Sequence, residues 1–199
     1  RGFLVWLCKK TGKDVKDIKI AIGRDPRMSG KRLLDGLMEG FGPYGITAYD
    51  CGLASTPAMF MATLFPEFKC DGGIMITASH NPKEYNGFKV YGEDGAQMSP
   101  EATAEVVKYI EKIGDPLLDA ILYDEKLIRK VRLTKKSLDK KYYNKILKLS
   151  LSPKEVKKVG KTIKLVYTPV HGSGYIPVTT VLKKIGINAT LVPEQLVKD

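Results

Sequence analysis

One stretch near the middle of the chain restricts the fold more than any other: a short apolar run that passes directly into a polar loop. The run at residues 74–76 has the length and composition of a buried strand. The loop that follows, residues 77–82, carries a hydroxyl, an imidazole and an amide in successive positions, and Pro82 stiffens its exit. Because open α/β sheets hold their reactive groups at the carboxyl ends of strands, this stretch predicts an α/β fold with its chemistry in the loop.

A second short strand is predicted on the far side of this loop. Residues 86–87 are Asn-Gly, a turn signal, and Phe88, Lys89 and Val90 then alternate between apolar and polar side chains. Side chains alternate across a strand, so Phe88 and Val90 face one side of the sheet and Lys89 faces the other. The short connection predicts antiparallel pairing with the apolar run. The loop therefore presents Ser79 with a lysine projecting from the strand beyond it.

The first half of the chain alternates between strand and helix patterns. Strands are predicted at 18–22 and 46–51, and an apolar stripe at helical spacing predicts a helix over 33–41. Pro57 opens another short helix, at a position where its missing N–H costs nothing. This order predicts a three-layer α/β/α domain with a mixed, mainly parallel sheet. From about residue 117 we expect basic helical segments.

The end of the chain repeats the pattern on a smaller scale. Strands are predicted at 163–167 and 189–192, and the loop 168–174 again leads from a strand into a helix. We therefore predict two domains. Residues 1–150 form the α/β/α domain that carries Ser79, and residues 151–199 form the start of a second, similar domain.

The positive charge of the chain is concentrated in one region. Residues 126–164 contain fifteen Lys or Arg and two acidic residues, although the net charge of the whole chain is only +11. A polyanion-binding segment at 126–164 is one interpretation. A solvated helical face is favoured, because aromatic residues are sparse there and no recognition motif accompanies the charge. Nucleic acid is therefore not the expected partner.

The cysteines and the hydropathy pattern indicate the type of compartment. Cys8, Cys51 and Cys70 are scattered and lack a CxxC pair, which predicts reduced thiols. No uninterrupted apolar run has the length needed to span a bilayer. We therefore expect a cytoplasmic protein without membrane contact.

The central stretch resembles the phosphoserine loop of the α-D-phosphohexomutase superfamily, which includes phosphoglucomutases and phosphomannomutases. The matching residues are Thr77-Ala78-Ser79-His80-Asn81-Pro82 and Tyr85-Asn86-Gly87-Phe88-Lys89. The resemblance implies an isomerase, an intramolecular phosphotransferase that interconverts hexose 1-phosphate and hexose 6-phosphate through a phosphoserine. The resemblance covers the first of the family's four domains and the start of the second. A phosphopentomutase or a phosphoglucosamine mutase of the same superfamily is the alternative.

The resemblance also implies roles for individual residues. Ser79 matches the phosphorylated carrier, His80 a proton shuttle or positioning group, and Lys89 a lysine that supports proton transfer and contacts the ligand. Arg1 is similar to the arginine of an amino-terminal Arg-Gly motif, which implies a catalytic and substrate-binding role. A serine suits a transfer between two hydroxyls, because it accepts the phosphoryl group and returns it. A serine hydrolase is disfavoured, because no Gly-x-Ser-x-Gly run surrounds Ser79.

Two further segments resemble parts of the same superfamily. The family's GRDxRxS segment is matched by Gly23-Arg24-Asp25-Pro26-Arg27-Met28-Ser29. We expect it to be mainly scaffold, with Asp25 and its arginines tying the loop to the next helix, and with Ser29 capping that helix. A secondary ligand role is left open. His171, in the run Thr168-Pro169-Val170-His171-Gly172, is similar to a segment near the start of the second domain, where a structural role is favoured.

The implied cofactors are Mg²⁺ and a hexose 1,6-bisphosphate that acts as activator or intermediate. From this chain, only the phosphate on Ser79 would bind the metal, because the family's Asp-Gly-Asp-Gly-Asp loop does not occur in the sequence. One ligand does not fill a six-coordinate shell. The chain alone is therefore expected to have negligible mutase activity. Its expected partners are a sugar phosphate and the remaining domains of the same polypeptide.

Overall fold

Strands and α-helices alternate over residues 19–76, as the sequence pattern predicts. The computed structural model describes residues 1–112 and 131–197. None of the helices within these ranges is long and apolar enough to cross a bilayer. The α-helices are α1 (Gly2–Thr11), α2 (Gly30–Phe41), α3 (Thr56–Leu64), α4 (Pro100–Glu111), α5 (Lys135–Leu147), α6 (Pro153–Val159) and α7 (Tyr175–Lys184).

Three parallel strands form the centre of the main sheet. Strand β1 (Lys19–Arg24) pairs in parallel with β2 (Thr47–Leu53) on one side and with β3 (Gly72–Ile76) on the other. Strand β4 (Phe88–Gly92) pairs antiparallel with β3, and β5 (Val131–Leu133) pairs in parallel with β2. Within the described residues the order is therefore β4-β3-β1-β2-β5. The mixed, mainly parallel sheet predicted from the sequence is confirmed.

Helices cover both faces of this sheet. On one face, Ile22 and Ile76 lie in a core with residues of α1, α2 and α4. On the other face, Ala21 and Met75 lie in a core with residues of α3 and α5. Neighbouring residues of a strand enter opposite cores because their side chains alternate in direction. Ile22 and Ile76 are fully buried, and each such side chain contributes about 1.5–3 kcal/mol relative to exposure.

A second, smaller sheet follows the main one. Strand β6 (Leu165–Tyr167) pairs in parallel with β7 (Ala189–Leu191), and α7 connects the two. Helix α7 contacts α5, which itself packs on the main sheet. The strand–helix–strand unit expected at the end of the chain is therefore present. The boundary between domains at residue 150 stays a prediction.

Strand β5 was not predicted. Basic helical segments are expected from about residue 117, and residues 113–130 lie outside the described ranges. At residues 131–133 that expectation is wrong, because this segment forms the edge strand beside β2. The strand has three residues, and its Leu133 is 84% exposed. A segment so short and so exposed has no periodicity by which a strand is recognised.

Within the core, Cys51 and Cys70 are buried free thiols, and Cys8 is a half-buried free thiol on α1. Burial raises the pKa of Cys51 to about 12. The pKa of Cys70 is also raised by burial. Both thiols are therefore protonated near neutral pH and poorly nucleophilic.

Gly72 lies where helix α1 crosses the start of β3, and a side chain there is expected to destabilise the fold. A Cβ atom on Gly72 would lie 2.8 Å from Cζ of Phe3 and 3.0 Å from the backbone oxygen of Tyr91. Tyr91 is held in the β3–β4 ladder, so it cannot withdraw without breaking strand pairing. Gly72→Ala is therefore expected to lower the free energy of unfolding by about 1–3 kcal/mol.

Gly36 provides a matched control for this substitution. It lies inside α2, and a Cβ atom there would have nothing within 4 Å. Gly36→Ala is expected to stabilise the fold by up to about 1 kcal/mol, because alanine has the higher helix propensity. Urea unfolding of the two variants measures the difference. Equal midpoints for Gly72→Ala and the parent chain would contradict the expected clash.

Candidate active site

The loop after β3 exposes Ser79 at the carboxyl edge of the main sheet. Strand β3 is buried along its whole length and Thr77 is also buried, whereas Ser79 and His80 are exposed. Ser79 has a φ of 58°, in the left-handed region that residues other than glycine rarely adopt. Its backbone N–H donates to Oγ1 of Thr77 at 2.9 Å, which supports this conformation. The serine is therefore held outward, away from the core.

Three of the side chains singled out in the sequence lie together here. Oγ of Ser79 lies 3.3 Å from Nδ1 of His80, and Nζ of Lys89 donates to the same oxygen at 3.5 Å. Lys89 lies on β4 opposite Met75, on the face of the sheet that alternation predicts. The ammonium group would attract a phosphate carried by the serine, because a phosphoserine has about two negative charges.

Arg27 organises the Ser79 loop through main-chain contacts. Its Nη1 and Nη2 atoms donate four hydrogen bonds of 2.7–3.1 Å to carbonyl oxygens of the loop. These oxygens belong to Ser79, Asn81, Pro82 and Tyr85. A planar guanidinium suits this task, because its donors lie in a fixed fork. These carbonyl oxygens carry partial negative charge that would repel a phosphate, and the positive charge of Arg27 offsets it.

Asp25 holds Arg27 in the orientation that these contacts require. Its Oδ2 accepts from Nε of Arg27 at 3.1 Å, and its Oδ1 accepts from the backbone N–H of Arg27 at 3.1 Å. The backbone N–H of Asp25 donates to the carbonyl of Ile76 at 3.1 Å, which fixes the pair to the end of β3. The side chains of Arg27 and Asp25 are only 11% and 14% exposed. Sequence reasoning assigned this segment to scaffold and missed the direct contact with the Ser79 loop.

Ser29 also contacts the loop, from the N-cap position of helix α2. It occupies the predicted N-cap position, but its side chain makes no capping hydrogen bond. Its hydroxyl instead accepts from Nδ2 of Asn86 at 2.9 Å. The other end of that amide, Oδ1, accepts from the backbone N–H of Gly87 at 2.9 Å. The end of the loop is therefore tied to the start of α2.

A cleft separates the Ser79 loop from the loop that follows β6. Ser79 and His80 lie on one wall, residues 169–173 lie on the other, and Asp25 and Arg27 also line it. The cleft has a volume of about 710 Å³. Ligand sites typically measure roughly 300–1,000 Å³, so a sugar phosphate would fit. His171, for which a structural role was favoured, lies in the second wall.

The structure does not bring Arg1 to this cleft. The guanidinium carbon of Arg1 lies 5.9 Å from the centre of the Tyr44 ring. Tyr44 precedes β2, so it lies at the amino edge of the parallel strands, whereas Ser79 follows β3 at the carboxyl edge. The position of Arg1 therefore gives no support to the catalytic and substrate-binding role predicted for it.

The described part of the chain does not by itself fit a Mg²⁺ ion. No group of three or more His, Cys, Asp or Glu side chains within residues 1–112 and 131–197 is arranged to hold a metal. Asp25, the carboxylate in the cleft, is bonded to Arg27. Mg²⁺ requires six oxygen ligands in near-ideal octahedral geometry. A phosphate on Ser79 would supply only part of such a shell.

Comparison with known sequences identifies relatives of the chain. Residues 3–116 match the family model described as phosphoglucomutase/phosphomannomutase, alpha/beta/alpha domain I. A phosphoglucomutase from Staphylococcus haemolyticus is 38% identical over 143 residues, which cover 71% of this chain and 25% of that protein. A phosphoglucosamine mutase from Rhizobium etli is 42% identical over 94 residues, which cover 47% of this chain and 20% of that protein. The chain thus spans at most about a quarter of the length of these curated relatives.

Solved structures resemble nearly the whole chain. A putative phosphomannomutase from Thermus thermophilus superposes with a TM-score of 0.72 at 20% identity, covering 98% of this chain and 40% of that one. The open form of the Paramecium phosphoglucomutase pp63/parafusin superposes with a TM-score of 0.70 at 19% identity, covering 98% and 39%. At such identities the likeness establishes the fold alone. The family model, however, matches more than half of the sequence and includes the Ser79 loop. This chain belongs to the phosphoglucomutase/phosphomannomutase family.

Proposed function

We propose that the chain carries the phosphoserine of a phosphohexomutase, which interconverts hexose 1-phosphate and hexose 6-phosphate through Ser79. The observation that carries this proposal is the setting of Ser79. Its exposed hydroxyl oxygen lies 3.3 Å from Nδ1 of His80 and 3.5 Å from Nζ of Lys89. Both Ser79 and His80 line a cleft of about 710 Å³. Membership of the family supports the same conclusion.

The proposed reaction has two phosphoryl transfers. A free hydroxyl of the hexose monophosphate attacks the phosphorus of phosphoserine, the bond to Oγ of Ser79 breaks, and hexose 1,6-bisphosphate forms. The proton of the sugar hydroxyl passes to the released serine oxygen. His80 is close enough to that oxygen to exchange this proton. In the second transfer Ser79 takes the other phosphoryl group of the bisphosphate, and Lys89 stabilises the charge of the transferring group.

We propose Mg²⁺ as a cofactor of the full-length protein and not of this chain alone. A bound Mg²⁺ ion would stabilise the negative charge of the transferring phosphoryl group. The phosphate of Ser79 is the ligand that this chain would contribute, and carboxylates from other parts of the polypeptide would have to complete the shell. The isolated chain is accordingly expected to turn over hexose 1-phosphate negligibly.

The domain division is also a proposal. Strand β5 and helix α5 pack with the main sheet, whereas β6, α7 and β7 build a sheet of their own. This supports a first domain at residues 1–150 and the start of a second at 151–199. The remaining domains of the same polypeptide would close the cleft. A cytoplasmic location is proposed as well, supported by the free thiols.

The identity of the sugar has two leading candidates. Glucose or mannose phosphates are proposed first, because the phosphoglucomutase from Staphylococcus haemolyticus is similar over the larger share of the chain. A phosphoglucosamine mutase is the second candidate, supported by 42% identity to the Rhizobium etli protein over 94 residues. A phosphopentomutase is the remaining alternative within the superfamily. Comparing kcat/KM for glucose 1-phosphate, glucosamine 1-phosphate and ribose 1-phosphate separates the three.

The basic segment 126–164 needs no separate function. Residues 126–130 lie outside the described ranges. In the part that is described, Lys140 and Lys148 are exposed on or next to α5. Lys135 instead pairs with Asp139 at 3.1 Å and donates to the carbonyl of Leu53. This pattern supports a solvated helical face, so we propose no polyanion partner.

The proposal predicts a phosphate on Ser79 that sugar phosphates remove. Intact-mass and peptide mass spectrometry of the full-length protein is expected to find one phosphoryl group, located on Ser79. Incubation with an excess of glucose 1-phosphate is expected to discharge it, with hexose 1,6-bisphosphate appearing in solution. An active preparation that carries its phosphate on another residue would refute the role of Ser79.

A further inference from the structure

The chain has two histidines, and both line the same cleft. His80 lies beside Ser79 on the first wall, and His171 lies on the second wall, in the loop after β6. Each loop follows the carboxyl end of a parallel strand, one in each sheet. The cleft therefore has an imidazole on each wall. The mechanism proposed above employs only the first of them.

Two hydrogen bonds fix His171 from outside the cleft. Its Nδ1 lies 2.9 Å from the carbonyl oxygen of Val197, and its backbone N–H donates to the carbonyl oxygen of Gln195 at 3.0 Å. A carbonyl oxygen only accepts, so Nδ1 carries a proton in this hydrogen bond. The neutral tautomer that fits this contact has its lone pair on Nε2, and His171 lines the cleft.

The backbone around His171 is held in an uncommon conformation. Val170 and His171 have φ values of 48° and 60°, so two successive residues other than glycine occupy the left-handed region. This region is particularly unfavourable for a β-branched residue such as valine. The hydrogen bonds that His171 donates to the carbonyl oxygens of Gln195 and Val197 thus keep the imidazole where an unconstrained loop would not hold it. Such conformations are often retained where a side chain has a specific task.

We propose that His171 positions the bound sugar by accepting, at Nε2, a hydrogen bond from a sugar hydroxyl. This inference rests on the proposed function and adds a contact on the wall opposite the phosphoserine. The tautomer of His171 determines whether its Nε2 accepts a hydrogen bond from the ligand or donates one to it. A neutral ring that donates through Nδ1 presents only an acceptor to the cleft, which suits a hydroxyl and not a phosphate dianion. His171 would therefore fix the ring of the sugar while the Ser79 loop handles the phosphoryl group.

Two substitutions in the full-length protein separate this contact from support of the loop. In His171→Asn the side-chain amide replaces Nδ1 and can still donate to Val197, and asparagine tolerates the left-handed region. In His171→Gln the longer amide instead reaches toward the position of Nε2, where its oxygen can accept. We expect His171→Asn to raise the KM for glucose 1-phosphate about tenfold with kcat and Tm nearly unchanged. We expect His171→Gln to recover most of the lost affinity.

The outcomes distinguish this inference from the function on which it rests. If glucose 1-phosphate discharges the wild-type phosphoserine but His171→Asn keeps the wild-type KM, the proposed contact is wrong and the mutase function stands. If both variants lose Tm and kcat together, His171 only supports the loop, and the contact is again refuted. If the wild-type phosphoserine is not discharged by any sugar phosphate, the function and the inference both fall. Isothermal titration of the dephosphorylated variants with glucose 1-phosphate gives the affinities independently of turnover.

Discussion

Substitution of Ser79 by alanine is expected to lower mutase turnover of the full-length protein by a factor of at least about 10⁴. The reason is chemical and not conformational. Alanine leaves no oxygen near Nδ1 of His80 and Nζ of Lys89, so nothing can carry the phosphoryl group between two sugar hydroxyls. Ser79 is exposed, and its side chain packs against no core, so the fold should persist. Steady-state turnover of glucose 1-phosphate, with Tm measured in parallel, tests both parts.

Ser137 offers a matched control for this substitution. Its hydroxyl donates to the carbonyl of Thr134 at the start of α5, and it does not line the cleft. Ser137→Ala is expected to retain full turnover and essentially the same Tm. Turnover by Ser79→Ala above about one per cent of the parent rate would show that another residue carries the phosphoryl group.

Substitution of Arg27 by lysine is expected to reduce turnover about 100-fold, although the positive charge is kept. Lysine has one nitrogen and cannot reach the four carbonyl oxygens that the guanidinium contacts. The Ser79 loop would then relax from its present geometry. A misplacement of about 1 Å at a reacting group costs on the order of 100-fold in rate. The loss is expected mainly in kcat, because Ser79 is still present but poorly positioned.

Arg32 provides the control for Arg27. It lies exposed in the first turn of α2, a few residues along the same segment. Arg32→Lys is expected to leave turnover unchanged, and limited proteolysis is expected to cut the Ser79 loop faster in Arg27→Lys than in Arg32→Lys. If Arg27→Lys is fully active and its loop is as resistant as in the parent, the guanidinium contacts are dispensable for the site.

The central part of the fold can be predicted from the local pattern of apolar and polar residues. Strands β1 to β4 and the helices between them have apolar residues at the spacing that each element requires, and each element is long enough for that spacing to be recognised. Strand β5 is different. Its three residues pair with β2 only because the chain returns to that edge of the sheet, and such a return depends on distant packing. Sequence periodicity carries no information about it.

In the candidate site, too, some contacts follow from local sequence and others depend on distant packing. The nearness of Ser79 and Lys89 follows from one hairpin, so alternation along a short segment predicts it. The contacts of Arg27 join positions 52 to 58 residues apart in sequence, and no local rule relates them. The presence of His171 in the cleft depends on how the second sheet lies against the first. The role predicted for Arg1 rests on a two-residue match, which contains nothing about which edge of the sheet a side chain reaches.

The register of the antiparallel pairing between β3 and β4 determines the side of the sheet on which the amine of Lys89 lies. Its place beside the serine oxygen depends on Lys89 facing Met75 across the ladder, with Phe88 facing Ile76. The loop between the strands can lengthen or shorten, and the amine stays in place as long as this pairing is kept. A slip of a single position would turn every side chain of β4 to the opposite side of the sheet. Phe88 or Val90 would then face Met75, and an apolar side chain would replace the ammonium group beside the serine oxygen.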